Sequence, residues 1–176
     1  MRTLIKNGLV YDGSGGTPFR KDVLIKDGFI EAVTESAEAY GMEMTRAAAS
    51  GAEAAAAEVI DASGLVVTPG FIDTHRHCDI DALYNPEFGR LEMAQGLTTV
   101  IGGNCGLAPI PAPKQYRRDI YDFIEPCLGI APEEMAIERF GDYLEELGKR
   151  ELPLHVGSLL ATGTLKAAIK GYGKGP

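Results

Sequence analysis

Long apolar runs are missing from the 176-residue sequence. Glycine, proline, aspartate or lysine interrupts every apolar stretch before it reaches the roughly 20 residues that a membrane-spanning helix needs. The N-terminal segment MRTLIKNGLVYDG alternates apolar and polar residues, so it lacks the continuous apolar region of a secretory signal peptide. The sequence therefore predicts no membrane partner, and a cytoplasmic location is the default expectation.

Basic residues and cysteines are also scarce. The chain has 17 lysines and arginines against 25 aspartates and glutamates, without a basic stripe, so nucleic acid is not an expected partner. The three cysteines, Cys78, Cys105 and Cys127, form no CxxC pair, which excludes a disulfide framework. Each is predicted to be a buried thiol or a metal ligand, and Cys78 and Cys127 are interpreted as structural.

The first third of the chain has the pattern of a small sheet. Three runs alternate apolar and polar residues, at residues 4–12, 22–34 and 58–67, with turn sequences such as GSGGTP and KDG. They predict a small antiparallel sheet in a first domain, residues 1–64. Within it, the alanine-rich stretch at residues 36–57 is interpreted as a short surface helix or a disordered loop.

From residue 65 onwards the pattern changes to alternating buried strands and helices. Apolar runs typical of buried parallel strands cover residues 65–75, 97–103 and 154–160. Helical patterns cover residues 87–95, 132–148 and 164–169, the second with Pro132 in its first turn and Gly148 at its end. This alternation predicts a parallel α/β domain over residues 65–176, with ligands bound at the carboxyl ends of the strands.

His75 and His77 follow the first of these strands in the sequence PGFIDTHRH. In an extended backbone, side chains at i and i+2 point to the same face, so the two imidazoles converge, and neutral imidazole is a good zinc ligand. The alternative is a pair of solvated loop histidines, which the attached strand disfavours. Asp73 shares their parity; it is predicted either to orient an imidazole or to accept backbone hydrogen bonds near the strand end.

Cys105 ends the second strand run in TTVIGGNCG, where neighbouring glycines permit a tight loop. If the two strands are adjacent and parallel, its thiolate lies level with the histidines and is a third candidate metal ligand. The alternative is a small buried apolar side chain. Asp79 and Asp81 are candidates to line the pocket, but their favoured interpretation is as solvated loop residues, and His155 is interpreted as a core or barrel-mouth histidine instead of a ligand.

The segments VVTPGFIDTHRHCD and GLTTVIGGNCGLAP together resemble the amidohydrolase superfamily, and specifically its D-aminoacylase (N-acyl-D-amino-acid deacylase) branch. The resemblance implies the N-terminal part of a small β-sandwich in residues 1–64, then about three βα units of an incomplete TIM-type (β/α)8 barrel. It implies one or two zinc ions, with His75 and His77 at one metal and Cys105 at the other or bridging both. Hydantoinases and dihydroorotases use a carboxylated lysine in that bridging role.

The same resemblance implies hydrolysis of an N-acyl-D-amino acid to a D-amino acid and a carboxylate, with two further histidines and a general-base aspartate beyond this chain. The chain alone is therefore expected to be inactive, unless an oligomer or a missing C-terminal segment completes the barrel. A cyclic-amide hydrolase and a non-catalytic truncated fragment are the alternatives. In LLATGTLK, Ala161 and Thr162 stand where the family tends to have glycine and histidine.

Overall fold

The computed structural model describes residues 2–35 and 58–172, so the prediction for residues 36–57 lies outside the described residues. The chain divides into two compact units, Met1–Pro69 and Gly70–Pro176. No described helix is both long and apolar enough to span a membrane. The assignment of residues 1–64 and 65–176 to two domains stays a prediction.

The first unit consists of short strands in two sheets. Its strands are β1 (Arg2–Lys6), β2 (Leu9–Val10), β3 (Phe19–Arg20), β4 (Asp22–Lys26), β5 (Phe29–Thr34), β6 (Glu58–Asp61) and β7 (Val66–Val67). The sheet orders are β5-β4-β1-β6 and β3-β2-β7. The turn at Asp27 and Gly28, both with positive φ, separates β4 from β5, because a two-residue turn of that kind matches the twist of a hairpin.

The prediction of an antiparallel sheet in the first unit is only partly right. The β1–β4, β4–β5 and β2–β3 pairs are antiparallel, but β6 is parallel to β1 and β7 is parallel to β2. Strands joined by a tight turn must pair antiparallel. β6 is separated from β1 by a long connection, which permits parallel pairing.

The second unit has a parallel three-stranded sheet flanked by helices. Its elements are β8 (Phe71–Asp73), α1 (Asp81–Tyr84), α2 (Arg90–Ala94), β9 (Leu97–Gly102), α3 (Arg117–Leu128), α4 (Phe140–Gly148), β10 (His155–Ser158) and α5 (Thr162–Lys170). The strand order is β10-β9-β8 and both pairs are parallel. The predicted α/β class is confirmed.

The apolar run at residues 65–75 is not the single buried strand that the sequence predicts. Val66–Val67 pairs with β2, whereas Phe71–Asp73 pairs with β9. Pro69 lies at the break, where its missing N–H cannot join a ladder. Phe71 and Ile72, which point to opposite faces of the sheet, are 55% and 62% exposed, so β8 is not buried on both faces as predicted.

The helix predicted from Pro132 begins later, at Phe140. Tertiary contacts hold the preceding segment outside a helix: Met135 is buried, and the carbonyl of Glu138 accepts the N–H of Ala112 at 3.1 Å. A stripe of apolar residues at helical spacing cannot reveal such long-range competition. The predicted end at Gly148 is confirmed.

The core of the second unit lies between β9 and the helices. Val100, at the centre of β9, is fully buried in a cluster that includes Ala108, Ile110, Tyr143 and Leu147. The Tyr143 hydroxyl donates to the backbone carbonyl of Asp79 at 3.0 Å, and burial raises the pKa of the phenol. The core thus connects α4 directly to the segment that follows the two histidines.

Tyr143→Phe is expected to lower the free energy of unfolding by about 1–2 kcal/mol, because it leaves the Asp79 carbonyl without its hydroxyl donor in a buried setting. The matched control is Tyr121→Phe, whose hydroxyl lies 3.4 Å from the Met135 carbonyl and is only partly buried. Urea denaturation of both variants measures the difference. Equal losses in the two would contradict the assigned importance of the Tyr143 hydrogen bond.

Candidate metal centre

Two imidazoles and one thiol meet where β8 and β9 end. His75 and His77 follow β8, Cys105 follows β9, and one ligand atom from each lies within 4.8 Å of the others. His75 Nε2 is 3.1 Å from Cys105 Sγ, and the two imidazole rings are nearly perpendicular, at 76°. The parallel pairing of β8 and β9 explains the convergence, because it brings both carboxyl ends to one edge.

The donor atoms fit a soft or borderline divalent cation. His77 Nδ1 is buried and finds no hydrogen-bond partner among the described residues, although buried polar atoms are normally paired. Two imidazole nitrogens and one thiolate are a donor set that zinc accepts, and three protein ligands leave a position open in a catalytic zinc site. In tetrahedral zinc sites such ligand atoms stand about 3–4 Å apart, a range that includes the 3.1 Å between His75 Nε2 and Cys105 Sγ.

Cys105 has a backbone conformation that is unusual for its residue type. Its φ of 57° lies in the left-handed region, which costs an L-residue about 1–2 kcal/mol. Gly103 and Gly106 on either side also have positive φ, at 71° and 73°. The Asn104 amide donates to the carbonyl of Ile101 at 2.7 Å and closes the turn onto the end of β9.

The segment that carries the two histidines is attached to β9 and α2. The backbone N–H of Arg76 donates to the Ile101 carbonyl at 3.0 Å, and its guanidinium forms ion pairs with Glu92 of α2 and with Asp73. Asp73 Oδ1 accepts the backbone N–H of His75 at 3.0 Å. Of the two roles considered for Asp73, the backbone contact is the one found; orientation of an imidazole stays a prediction.

The amidohydrolase family model matches residues 58–166, more than half of the chain, and this match includes both histidines and Cys105. The chain belongs to the amidohydrolase family.

Individual relatives place this amidohydrolase in the D-aminoacylase branch. N-acyl-D-aspartate deacylase of Alcaligenes xylosoxydans xylosoxydans is 31% identical over 166 residues, which are 94% of this chain and 29% of that protein. N-acyl-D-glutamate deacylase of Bordetella bronchiseptica, solved with zinc and a phosphonate mimic of the tetrahedral intermediate, is 28% identical with a TM-score of 0.68 over 94% of this chain and 30% of that one.

A D-aminoacylase with a binuclear metal centre is 27% identical to this amidohydrolase, with a TM-score of 0.65 over 95% of this chain and 31% of that one. The chain therefore spans about three tenths of the length of these relatives.

Asp79 is the residue of this amidohydrolase that sequence reasoning misjudged most. It is 1% exposed instead of solvated, and burial raises the pKa of its carboxyl to about 6, although the nearby backbone N–H groups of Asp79 and Gly103 oppose that rise. A Cβ on Gly102 would lie 2.8 Å from its Oδ1, so the carboxyl packs against the end of β9. Its two buried apolar neighbours in sequence, Cys78 and Ile80, were the available signal.

The remaining candidates lie elsewhere or differ in burial. Cys78 is buried as predicted, and burial raises the pKa of its thiol to about 12. Cys127 is exposed on α3, so the prediction of burial is wrong for it. His155 is exposed at the amino end of β10, opposite to the edge where the ligand atoms meet, and is not a core histidine. Asp81 is exposed, as expected of a solvated residue.

Proposed function

We propose that this amidohydrolase is a metal-dependent deacylase that hydrolyses an N-acyl-D-amino acid to a D-amino acid and a carboxylate. The convergence of His75, His77 and Cys105 within 4.8 Å carries the proposal. The resemblance to the D-aminoacylase branch implies a cysteine ligand at this position, whereas cyclic-amide hydrolases use a carboxylated lysine in the bridging role. Support comes from the relatives, whose names describe deacylases of N-acyl-D-aspartate and N-acyl-D-glutamate.

In this proposal His75, His77 and Cys105 hold one or two divalent cations, with zinc as the first candidate. When bound, such an ion polarises the scissile carbonyl and lowers the pKa of water toward neutrality. The chain's own contribution is to fix the ligands: Arg76 attaches the two histidines to β9 and α2, and Asn104 closes the turn that carries the thiol. The described cluster contains no carboxylate, so the general base is proposed to come from residues outside it.

We also propose that the second unit supplies the first three βα units of a (β/α)8 barrel, and that the first unit belongs to a small β-sandwich. The order β8, β9, β10 in both sequence and space supports the barrel. In such barrels the catalytic residues lie at the carboxyl ends of the strands, where these ligands are. β8 and β10 are edge strands, and a closed barrel would pair both.

The protein, purified as its gene encodes it and loaded with zinc, is expected to release free amino acid from N-acetyl-D-amino acids, the D-aspartate and D-glutamate derivatives among them. The L-enantiomers should react at least about a hundredfold more slowly, since a site that pairs buried polar groups with one substrate rejects a poor match by that factor or more. Chiral chromatography of the released amino acid measures both rates. Hydrolysis of hydantoin or dihydroorotate without hydrolysis of the linear amides would instead support the cyclic-amide alternative.

The 176-residue polypeptide produced alone is expected to show no turnover, because its described ligands lack the further histidines and the base that the proposal requires. Turnover by a preparation whose intact mass equals that of this polypeptide would contradict that expectation.

A further inference from the structure

The turn that carries Cys105 cannot keep its shape through its own contacts alone. A left-handed cysteine persists only where the surrounding structure over-determines it. Inside the turn, the N–H of Leu107 bonds to the Asn104 carbonyl at 2.8 Å, which closes the turn but leaves the chain that leads out of it unanchored. The anchor on that side comes from a distant part of the sequence, the first turn of α5.

Thr164 provides this anchor. Its hydroxyl is fully buried and accepts the N–H of Ala108 at 3.0 Å. The same oxygen lies 2.9 Å from the Ala108 carbonyl and 3.4 Å from the Gly106 carbonyl, either of which accepts its proton. The Thr164 side chain on α5 thus bonds both the N–H and the carbonyl of Ala108, three residues after Cys105.

The backbones also approach each other closely at this point. A Cβ on Gly163 would lie 2.6 Å from the carbonyl oxygen of Gly106, and a Cβ on Gly106 would lie 3.1 Å from the nitrogen of Gly163. The start of α5 therefore packs directly against the residue that follows Cys105. The hydrogen bonds of Thr164 hold the two backbones at this separation.

We propose that Thr164 is the positioning residue for the Cys105 thiol: its buried hydroxyl keeps the turn in the conformation that aims Sγ at His75 and His77. This inference rests on the proposed function, in which Cys105 is a metal ligand. Thr164 does not touch the ligand atoms; it acts through the backbone of residues 106–108. Groups that support a ligand in this way typically change metal affinity by about ten- to a hundredfold when removed.

Cobalt(II) is a suitable probe, because a thiolate bound to cobalt gives a sulfur-to-metal charge-transfer band that imidazole ligation does not give. The protein as its gene encodes it is titrated with cobalt, and the dissociation constant and the band intensity per bound ion are measured. Thr164→Val, which keeps the shape and removes the hydroxyl, should raise the dissociation constant by about ten- to a hundredfold and weaken the band. Thr164→Ser, which keeps the hydroxyl, should resemble the wild type.

Ile120→Val is the matched control for a general loss of stability. Ile120 of α3 is fully buried in a cluster with Ala167 of α5, and it is not a partner in the hydrogen bonds of Thr164. It should lower Tm and leave cobalt binding unchanged. A second variant, Gly163→Ala, keeps the hydroxyl but places a methyl group against the Gly106 carbonyl. It should weaken the band even if Thr164→Val does not fold.

Wild-type affinity and band intensity in Thr164→Val would overturn the inference, as would the same result in Gly163→Ala where Thr164→Val does not fold. Equal weakening in Ile120→Val would also overturn it. Failure of the proposed function is distinguishable: the wild type itself would then bind cobalt without a charge-transfer band, or its band would survive Cys105→Ala.

Discussion

In the protein as its gene encodes it, the proposed function predicts that Cys105→Ala lowers kcat/KM for N-acyl-D-amino acid hydrolysis by about a thousandfold or more, which corresponds to about 4 kcal/mol of transition-state stabilisation. The alanine removes the only sulfur among the three converging ligand atoms and leaves His75 and His77 as the remaining described donors. Metal content should fall with activity, because two imidazoles are fewer than the three protein ligands of a catalytic zinc site. Elemental analysis and steady-state kinetics on the same preparation measure both effects.

The chain offers two matched cysteine controls for this experiment. Cys127→Ala changes an exposed thiol on α3 and should leave both activity and metal content unchanged. Cys78→Ala removes a buried thiol beside the site, so it should reduce stability while metal content is retained. Unchanged metal stoichiometry and activity in Cys105→Ala would remove the reason for assigning a deacylase with a cysteine ligand instead of a cyclic-amide hydrolase.

The convergence of the ligand atoms could be expected from sequence because it depends on two local rules. Side chains two residues apart in an extended segment share a face, which is the sequence argument for pairing His75 with His77, although β8 ends at Asp73 and His75 lies in a bend just beyond it. Adjacent parallel strands end at one edge, which relates both histidines to Cys105. Each rule needs only the strand pattern nearby. The apolar runs at residues 97–103 and 154–160 contain β9 and β10, whereas the run at residues 65–75 contains both β7 and β8 instead of one strand.

Features that depend on distant partners could not be predicted in this way. The hydroxyl of Thr164 finds Ala108 at a separation of 56 residues, and Tyr143 finds the Asp79 carbonyl across 64 residues. Neither pairing leaves a periodic signal in the sequence. Burial of Asp79 has the same cause: the carboxyl lies against Gly102 at the end of β9, and the backbone carbonyl is bonded by Tyr143 of the core, although the residue type favours solvent.

The glycines around Cys105 are the point at which local and distant requirements coincide. Their sequence pattern predicts a tight loop, but it does not say which of them is indispensable. The structure indicates that Gly103 is the glycine that cannot be replaced. It has a positive φ, and a Cβ there would lie 2.1 Å from the carbonyl oxygen of Leu159, the closest backbone approach in this turn. Leu159 cannot easily move away, since its N–H donates to the Gly102 carbonyl at 3.0 Å.

Gly103→Ala is therefore expected to lower the free energy of unfolding by about 3 kcal/mol or more, the sum of a left-handed alanine and a lost backbone hydrogen bond. Gly64→Ala is the matched control: its φ is 76°, but no atom lies within 4 Å of the added Cβ, so only the conformational cost of about 1–2 kcal/mol applies. Urea denaturation of the metal-free proteins measures both losses. Equal destabilisation of the two variants would mean that the backbone of Leu159 can shift to accommodate the added methyl group. The contact between Leu159, just after β10, and the cysteine turn would then not constrain Cys105.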